Sequence, residues 1–69
     1  EARAYVNGDG MAIVATRTQE GKAVKGTIEV PGYRFAEAST LGNAQVSSDG
    51  REVTLGQYDL AVLVYKKTK

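Results

Sequence analysis

Tyr58-Asp59-Leu60-Ala61-Val62-Leu63-Val64-Tyr65 is the most apolar stretch of the chain, and it decides the fold. In an extended strand Leu60, Val62 and Val64 share one face, and the residues between and after them share the other. A strand that is apolar on both faces usually lies in the centre of a sheet, covered on both sides. In a chain of 69 residues the second cover can come from another domain. The stretch therefore predicts a central strand over residues 58–65.

Turn signals divide the rest of the chain at intervals of about eight to twelve residues, which is typical of an antiparallel β domain. The predicted turns occupy 7–10, 19–22, 31–32, 41–43 and 48–51. The remaining predicted strands occupy 2–6, 11–16, 23–30, 33–38, 44–47 and 52–55. No capped segment with helical periodicity is long enough to predict a helix. These patterns predict a single all-β domain over residues 1–69.

Alternation of apolar and polar residues assigns faces to several of these strands. Over 23–30, Val24, Gly26, Ile28 and Val30 point one way, and Pro31 ends the strand because it cannot donate to a ladder. Six or seven short strands with one apolar face each are expected to form a small antiparallel β-sandwich. A small β-barrel is the competing arrangement.

Composition excludes several kinds of chemistry. The chain has no cysteine and no histidine, so it lacks disulfides, thiolate or imidazole metal ligands and the usual proton shuttle. The eight carboxylates are scattered without a motif, and solvated surface charge is the simplest interpretation of them. The loop at 7–10 lacks the ligand spacing of a calcium site and is interpreted as a hairpin turn. We predict no catalytic residue, no metal and no cofactor, so the domain itself is not an enzyme.

The charge pattern argues against nucleic acid and membrane partners. The net charge is +1, and basic residues cluster only at the end of the chain. A small nucleic-acid-binding β-barrel using Lys66, Lys67 and Lys69 remains a further alternative, although a sustained basic face is missing. The longest apolar run, over 60–64, is far shorter than the ~20 residues that cross a bilayer.

The aromatic residues are Tyr5, Tyr33, Tyr58, Tyr65 and Phe35. A domain this small buries only roughly 60% of the surface of its unfolded chain, so most of these rings are expected in the core or an interface. Exposed tyrosines can also stack on sugar rings. Tyr5, Tyr33 and Tyr58 are therefore the candidates for a ligand platform.

Two segments carry a resemblance to a known group of domains. Residues 28–33 (IEVPGY) together with 53–63 (VTLGQYDLAVL) resemble the C-terminal β domain of multidomain bacterial glycoside hydrolases, such as α-galactosidases, β-galactosidases and α-amylases. Residues 3–6 and 11–14 are similar to the opening hairpin of such domains. Many of them have an asparagine where the second strand ends, and residues 15–18 have none, which leaves the exact family open.

The resemblance implies a non-catalytic accessory β-sandwich that packs against a catalytic (β/α)-barrel of the same polypeptide. Catalysis would then rest on carboxylates of the barrel, and a secreted or periplasmic location is favoured. Because the sequence begins with Glu1 rather than methionine, we expect it to be a piece of a longer protein. The expected interface with the barrel comprises Tyr58, Leu60, Leu63 and Tyr65. A carbohydrate-binding or protein-interaction β module is the alternative function.

Overall fold

The fold is all-β in a computed structural model that describes residues 2–18 and 20–68. These residues form seven strands and contain no helix. The strands are β1 (Ala2–Asn7), β2 (Gly10–Thr16), β3 (Val24–Thr27), β4 (Tyr33–Leu41), β5 (Gln45–Val46), β6 (Glu52–Leu55) and β7 (Leu60–Lys67).

The strands form two antiparallel sheets. One has four strands in the order β1-β2-β7-β4, and the other has three in the order β3-β6-β5. No strand pairing joins the two sheets within the described ranges. The predicted small antiparallel β-sandwich is therefore confirmed. The predicted central position of the apolar strand is also confirmed, because β7 lies between β2 and β4.

The core lies between the sheets and is thin. Ala61, Leu63 and Tyr65 of β7 pack with Val53 of β6, and Leu63 is fully buried. Partly buried residues surround this cluster from both sheets and from the segments beside them: Met11, Ile13, Ile28, Val30, Tyr33, Phe35, Ala44, Val46 and Leu55. Because so few side chains are fully buried, each contributes a large share of the stability.

An aromatic pair closes one end of the core. The rings of Phe35 and Tyr65 meet edge to face, with centroids 5.7 Å apart. The Tyr65 hydroxyl donates a hydrogen bond to the Gly50 carbonyl oxygen at 2.9 Å. Gly50 has a positive φ of 71°, and an added Cβ would overlap the Phe35 ring, so only glycine fits this position.

Several strand bounds differ from the prediction. β3 ends at Thr27 because its partner β6 begins at Glu52, although Ile28 and Val30 still pack on the core. β4 continues to Leu41, with a bulge between Phe35 and Glu37 that displaces its register. The turn predicted at 19–22 includes Gln19, which lies outside the described residues.

The interpretation of the carboxylates as solvated surface charge is wrong for Asp59, which is buried. This residue is 5% exposed. Its Oδ1 accepts the backbone N–H of Asn43 at 3.0 Å, and its Oδ2 accepts that of Gly56 at 2.7 Å. The carboxylate therefore ties the turn before β5 to the turn before β7. Gly42 must be small here, because an added Cβ would overlap Asp59 Oδ1.

Candidate functional site: the outer face of the four-stranded sheet

The face of the four-stranded sheet that points away from the core is apolar at its centre. Leu60, Val62 and Val64 of β7 point outward, because the alternate residues of this strand are buried between the sheets. The register places Thr16, Val14 and Ala12 beside them on β2, and Leu41 and Tyr5 extend the surface onto the edge strands. We call the following seven residues the outer patch: Tyr5, Ala12, Val14, Leu41, Leu60, Val62 and Val64.

The outer patch is open to solvent in this chain. Its central residues are half-buried by their own neighbours, whereas Tyr5 is 58% exposed and Leu41 is 66% exposed. The other sheet packs on the opposite face, and no strand among the described residues covers this one. Covering apolar surface stabilises by about 25 cal/mol per Å², so a second protein surface would gain by packing here.

Charged residues border the outer patch, and one of them, Arg3 of β1, is the cross-strand partner of Val14. Arg34 of β4 and Lys66 of β7 are direct cross-strand partners on the outer face. Like charges placed opposite each other are destabilising in an isolated sheet. Glu37 lies two rungs away, beside Val64. An apolar centre with a polar border is typical of a surface that binds another protein.

The four residues expected at a domain interface do not share one surface. Leu63 and Tyr65 lie between the sheets, at 0% and 4% exposure, and form the core of this domain. Leu60 lies on the outer face. Tyr58 is 75% exposed in the turn between β6 and β7. The sequence could not decide which side of β7 faces inward, because both sides are apolar.

The three candidate platform tyrosines are also separated. Tyr5 lies on the outer face of β1, whereas Tyr33 pairs with Lys67 on the inner side of β4. Tyr58 has a positive φ of 63°, a conformation that a bulky residue rarely adopts. Its backbone N–H donates to the Arg17 carbonyl oxygen at 2.6 Å, which helps to hold this turn. No single platform therefore unites the three rings.

Tyr33 lines a cleft among the described residues. This cleft has a volume of about 580 Å³, and Glu29, Asp49 and Arg51 also border it. A hydrogen bond from the Ser47 hydroxyl, followed by one from the Arg51 backbone N–H, lowers the pKa of Asp49 from its ordinary value of 3.8. The cleft thus combines the aromatic rings of Tyr33, Phe35 and Tyr65 with charged groups at an end of the sandwich.

In the described part of the chain, no group of three or more histidine, cysteine, aspartate or glutamate side chains lies close enough together to hold a metal ion. Burial raises the pKa of the Tyr65 hydroxyl, which donates to a carbonyl within the core. Burial therefore keeps this hydroxyl protonated as a structural donor.

Two of the basic residues near the end of the chain belong to β7. Lys66 and Lys67 are exposed at the end of β7, and Lys69 lies outside the described residues. No helix with the length and apolar content to cross a bilayer occurs in residues 2–18 and 20–68.

Comparisons with known proteins give no relative from which a function could be transferred. No family model matches the chain, and neither a curated protein nor a solved structure is found to be similar to it.

Proposed function

We propose that this chain is a non-catalytic accessory domain that packs through the outer patch against a larger catalytic domain of the same polypeptide. The single observation that carries the proposal is the uncovered apolar centre of the four-stranded sheet. That a glycoside hydrolase is the parent protein rests on the sequence resemblance of residues 28–33 and 53–63. The domain would stabilise and orient its neighbour and would leave the chemistry to it.

The position of the apolar residues supports packing against a protein surface. Val14, Val62 and Val64 adjoin one another on the two central strands. They present aliphatic groups on the two central strands, and their polar neighbours in the register, Ser39 beside Val62 and Arg3 beside Val14, lie on the edge strands. A sugar ligand would require polar groups and a ring at the centre of the face, whereas an apolar protein surface would need neither. The chemistry of this face therefore favours a protein partner over a soluble ligand.

The border of the patch adds a requirement for the partner. Arg34 and Lys66 stand side by side without an acidic residue between them in the register. A carboxylate on the docked surface would relieve their repulsion and would fix the orientation of the domain. We therefore expect the partner surface to be apolar, with an acidic residue placed over this pair.

The test compares two charged substitutions in the full-length product of the gene. Val62→Asp places a charge at the centre of the outer patch, and Thr54→Asp places one at the centre of the other sheet's outer face. We expect Val62→Asp to increase the rate of proteolytic cleavage between the domains by about tenfold, because burying a charge opposes docking. Thr54→Asp should leave that rate unchanged.

Two results would contradict the proposal. One is equal cleavage rates for Val62→Asp and Thr54→Asp in a full-length protein whose two domains remain folded. The other is a gene product that contains no further domain. Circular dichroism of the isolated 69-residue chain with each substitution separates a loss of docking from a loss of folding.

The cleft beside Tyr33 supports carbohydrate binding as a second candidate function. Its volume of about 580 Å³ suits a small ligand, and it offers a ring together with the carboxylates of Glu29 and Asp49. Titration of the isotope-labelled chain with short oligosaccharides should give saturable shifts centred on Tyr33 if this function holds. Tyr33→Ala should abolish those shifts, and Tyr5→Ala, on the outer face, is the matched control. Shifts that persist in Tyr33→Ala would contradict it.

A further inference from the structure

The three-stranded sheet is one strand narrower than the sheet it covers, and the shortfall lies beside β3. Strand β1 forms the edge of the four-stranded sheet, and its inward side carries Ala2, Ala4 and Val6. All three are exposed, Val6 at 62%, although they point to the side on which the core lies. The inner face of β1 therefore lacks a partner within the described residues.

The free edge of β3 borders the same opening. β3 pairs only with β6, and the Ile28 N–H donates to the Arg51 carbonyl oxygen at 2.7 Å. In an antiparallel ladder alternate residues turn their N–H and C=O groups to the same neighbour. Val24 and Gly26 therefore face β6 together with Ile28. The backbone groups of Lys25 and Thr27 consequently point away from β6, toward the open edge.

A continuous trough runs along this edge. A cleft of about 390 Å³ is lined by Ala15, Val24, Val53 and Leu55, among others. A recess of about 310 Å³ lies next to it and extends beneath β1. Both are bordered by Ala2, Thr27 and Ile28. The two recesses thus form one apolar channel between the edge of β3 and the underside of β1.

The channel has room for side chains that enter from the edge. Gly26 points into it, and an added Cβ there would meet no atom within 4 Å. Val24 is 55% exposed although its strand position is an inward one. A strand added to β3 would lie about 4.8 Å from it, with alternate side chains directed inward toward β1. It would cover the inner face of β1 and complete a sandwich of four strands on four.

A basic side chain at one end of the channel gives it a direction. Arg17 lines the end beside Val24, whereas both Arg3 and Glu29 line the opposite end, where their charges offset each other. Glu20 and Lys22, which Arg17 contacts through their carbonyl oxygens, carry opposite charges and offset each other. An added strand antiparallel to β3 would start near Glu29 and end near Arg17. Such a strand would fit best with an acidic residue near its carboxyl end.

We propose that the free edge of β3, together with the channel beneath β1, accepts an extended peptide segment of a partner protein as an additional antiparallel strand. The segment has apolar residues at alternate positions and an acidic residue after them. Main-chain hydrogen bonds to Lys25 and Thr27 supply affinity, and the apolar channel supplies selectivity. This surface is separate from the outer patch and does not depend on the function proposed for it.

The test uses a capped heptapeptide with valines at alternate positions separated by threonines, and glutamate near its carboxyl end. Titrated into the isotope-labelled 69-residue chain, it should bind with a dissociation constant below about 1 mM. At saturation, amide exchange of Lys25 and Thr27 should slow by about tenfold or more. A peptide of the same composition with the glutamate near its amino end should bind at least about threefold more weakly.

One variant blocks the channel without relying on disruption of the fold. Gly26→Leu places an apolar side chain in the open channel, and it should lower peptide affinity by about tenfold or more while circular dichroism remains that of the wild type. Thr54→Leu adds the same side chain on the opposite side of that sheet and should leave peptide affinity unchanged.

Four outcomes would overturn the proposal. They are no binding to the wild-type chain at 1 mM peptide, shifts that map to the outer patch instead of β3, equal affinity for the peptide with glutamate near its amino end, and unchanged affinity in a folded Gly26→Leu variant. Protection of Lys25 and Thr27 that rises with protein concentration in the absence of peptide would also overturn it, because a second copy would then be the occupant.

Discussion

The outer faces of the two sheets differ, although both sheets cover the same core. The outer face of the three-stranded sheet is polar, and Lys25 on β3 pairs with Glu52 on β6 at 3.9 Å. Its other outward residues are Thr27, Gln45 and Thr54. The outer face of the four-stranded sheet carries Val14, Val62 and Val64 at the corresponding central positions.

This difference separates a sheet face suited to contact with water from one suited to burial. In the three-stranded sheet, apolar residues alternate with polar ones, as expected for a sheet with one face in water. In the four-stranded sheet the alternation is lost on β7, whose two sides are both apolar. A strand of that kind fits a position covered on both faces, and the described chain covers only one of them.

The largest effect is expected from shortening an inward side chain of β7 and comparing it with an outward one. Leu63→Ala should lower the free energy of unfolding by about 2–5 kcal/mol, because it leaves a cavity in the core. Val62→Ala, one residue away on the outer face, should cost less than about 1 kcal/mol in the isolated domain. Urea unfolding of both variants measures the difference. Equal costs would contradict the assignment of the two faces.

The next effect concerns the buried carboxylate that fixes the start of β7. Asp59→Ala leaves the backbone N–H groups of Asn43 and Gly56 without their acceptor. The free energy of unfolding should fall by about 1–3 kcal/mol, because a buried acceptor is lost. Urea unfolding again measures the change. Glu37→Ala, an exposed carboxylate on β4, is the control and should change stability little. A neutral Asp59→Ala would contradict the role given to this side chain.

A smaller effect, with the opposite sign, is expected in the turn before β7. Tyr58 has a positive φ that glycine adopts without strain. Tyr58→Gly should therefore leave the thermal midpoint of the isolated domain unchanged or raise it, with a gain of up to about 1 kcal/mol. A clear loss of stability would indicate that the exposed ring makes a contact that matters within the domain itself.

The smallest effect concerns the hairpin that closes the polar sheet. Hydrogen bonds lower the pKa of Asp49, so its contribution to stability is complete above the ordinary value of 3.8 and is lost as pH falls through the lower folded value. Asp49→Asn should therefore reduce the decline in the urea midpoint between neutral pH and about pH 3. An identical decline in both proteins would contradict this assignment.

Much of the fold could be predicted, because side-chain alternation and turn residues are local properties. The central strand β7 and the hairpin at Asn7–Gly10 follow from the sequence alone. The bulge between Phe35 and Glu37 and the end of β3 at Thr27 do not, since each depends on where a partner strand begins. The burial of Asp59 could not be foreseen either, because its partners Asn43 and Gly56 meet it only in the folded chain.

The candidate site was less predictable than the fold. Of the residues expected at a domain interface, Leu60 lies on the outer face, whereas Leu63 and Tyr65 point into the core. A strand that is apolar on both sides does not specify which side the second sheet covers. That choice is made by the pairing of β7 with β2 and β4, which places Val14 and Leu41 beside the outward residues.

Cysteine labelling is the most direct test of whether a second domain covers the outer patch. The chain has no cysteine, so Val62→Cys and Thr54→Cys each introduce a unique thiol into this domain. Labelling by a maleimide, followed by mass spectrometry of the peptide, gives the access rate in the isolated domain and in the full-length protein. In the full-length protein, the labelling rate of Val62→Cys should be about tenfold or more lower than in the isolated domain. This ratio corresponds to ~1.4 kcal/mol in favour of the covered state. The labelling rate of Thr54→Cys should be the same in both proteins. Equal rates for Val62→Cys in the two proteins would contradict it.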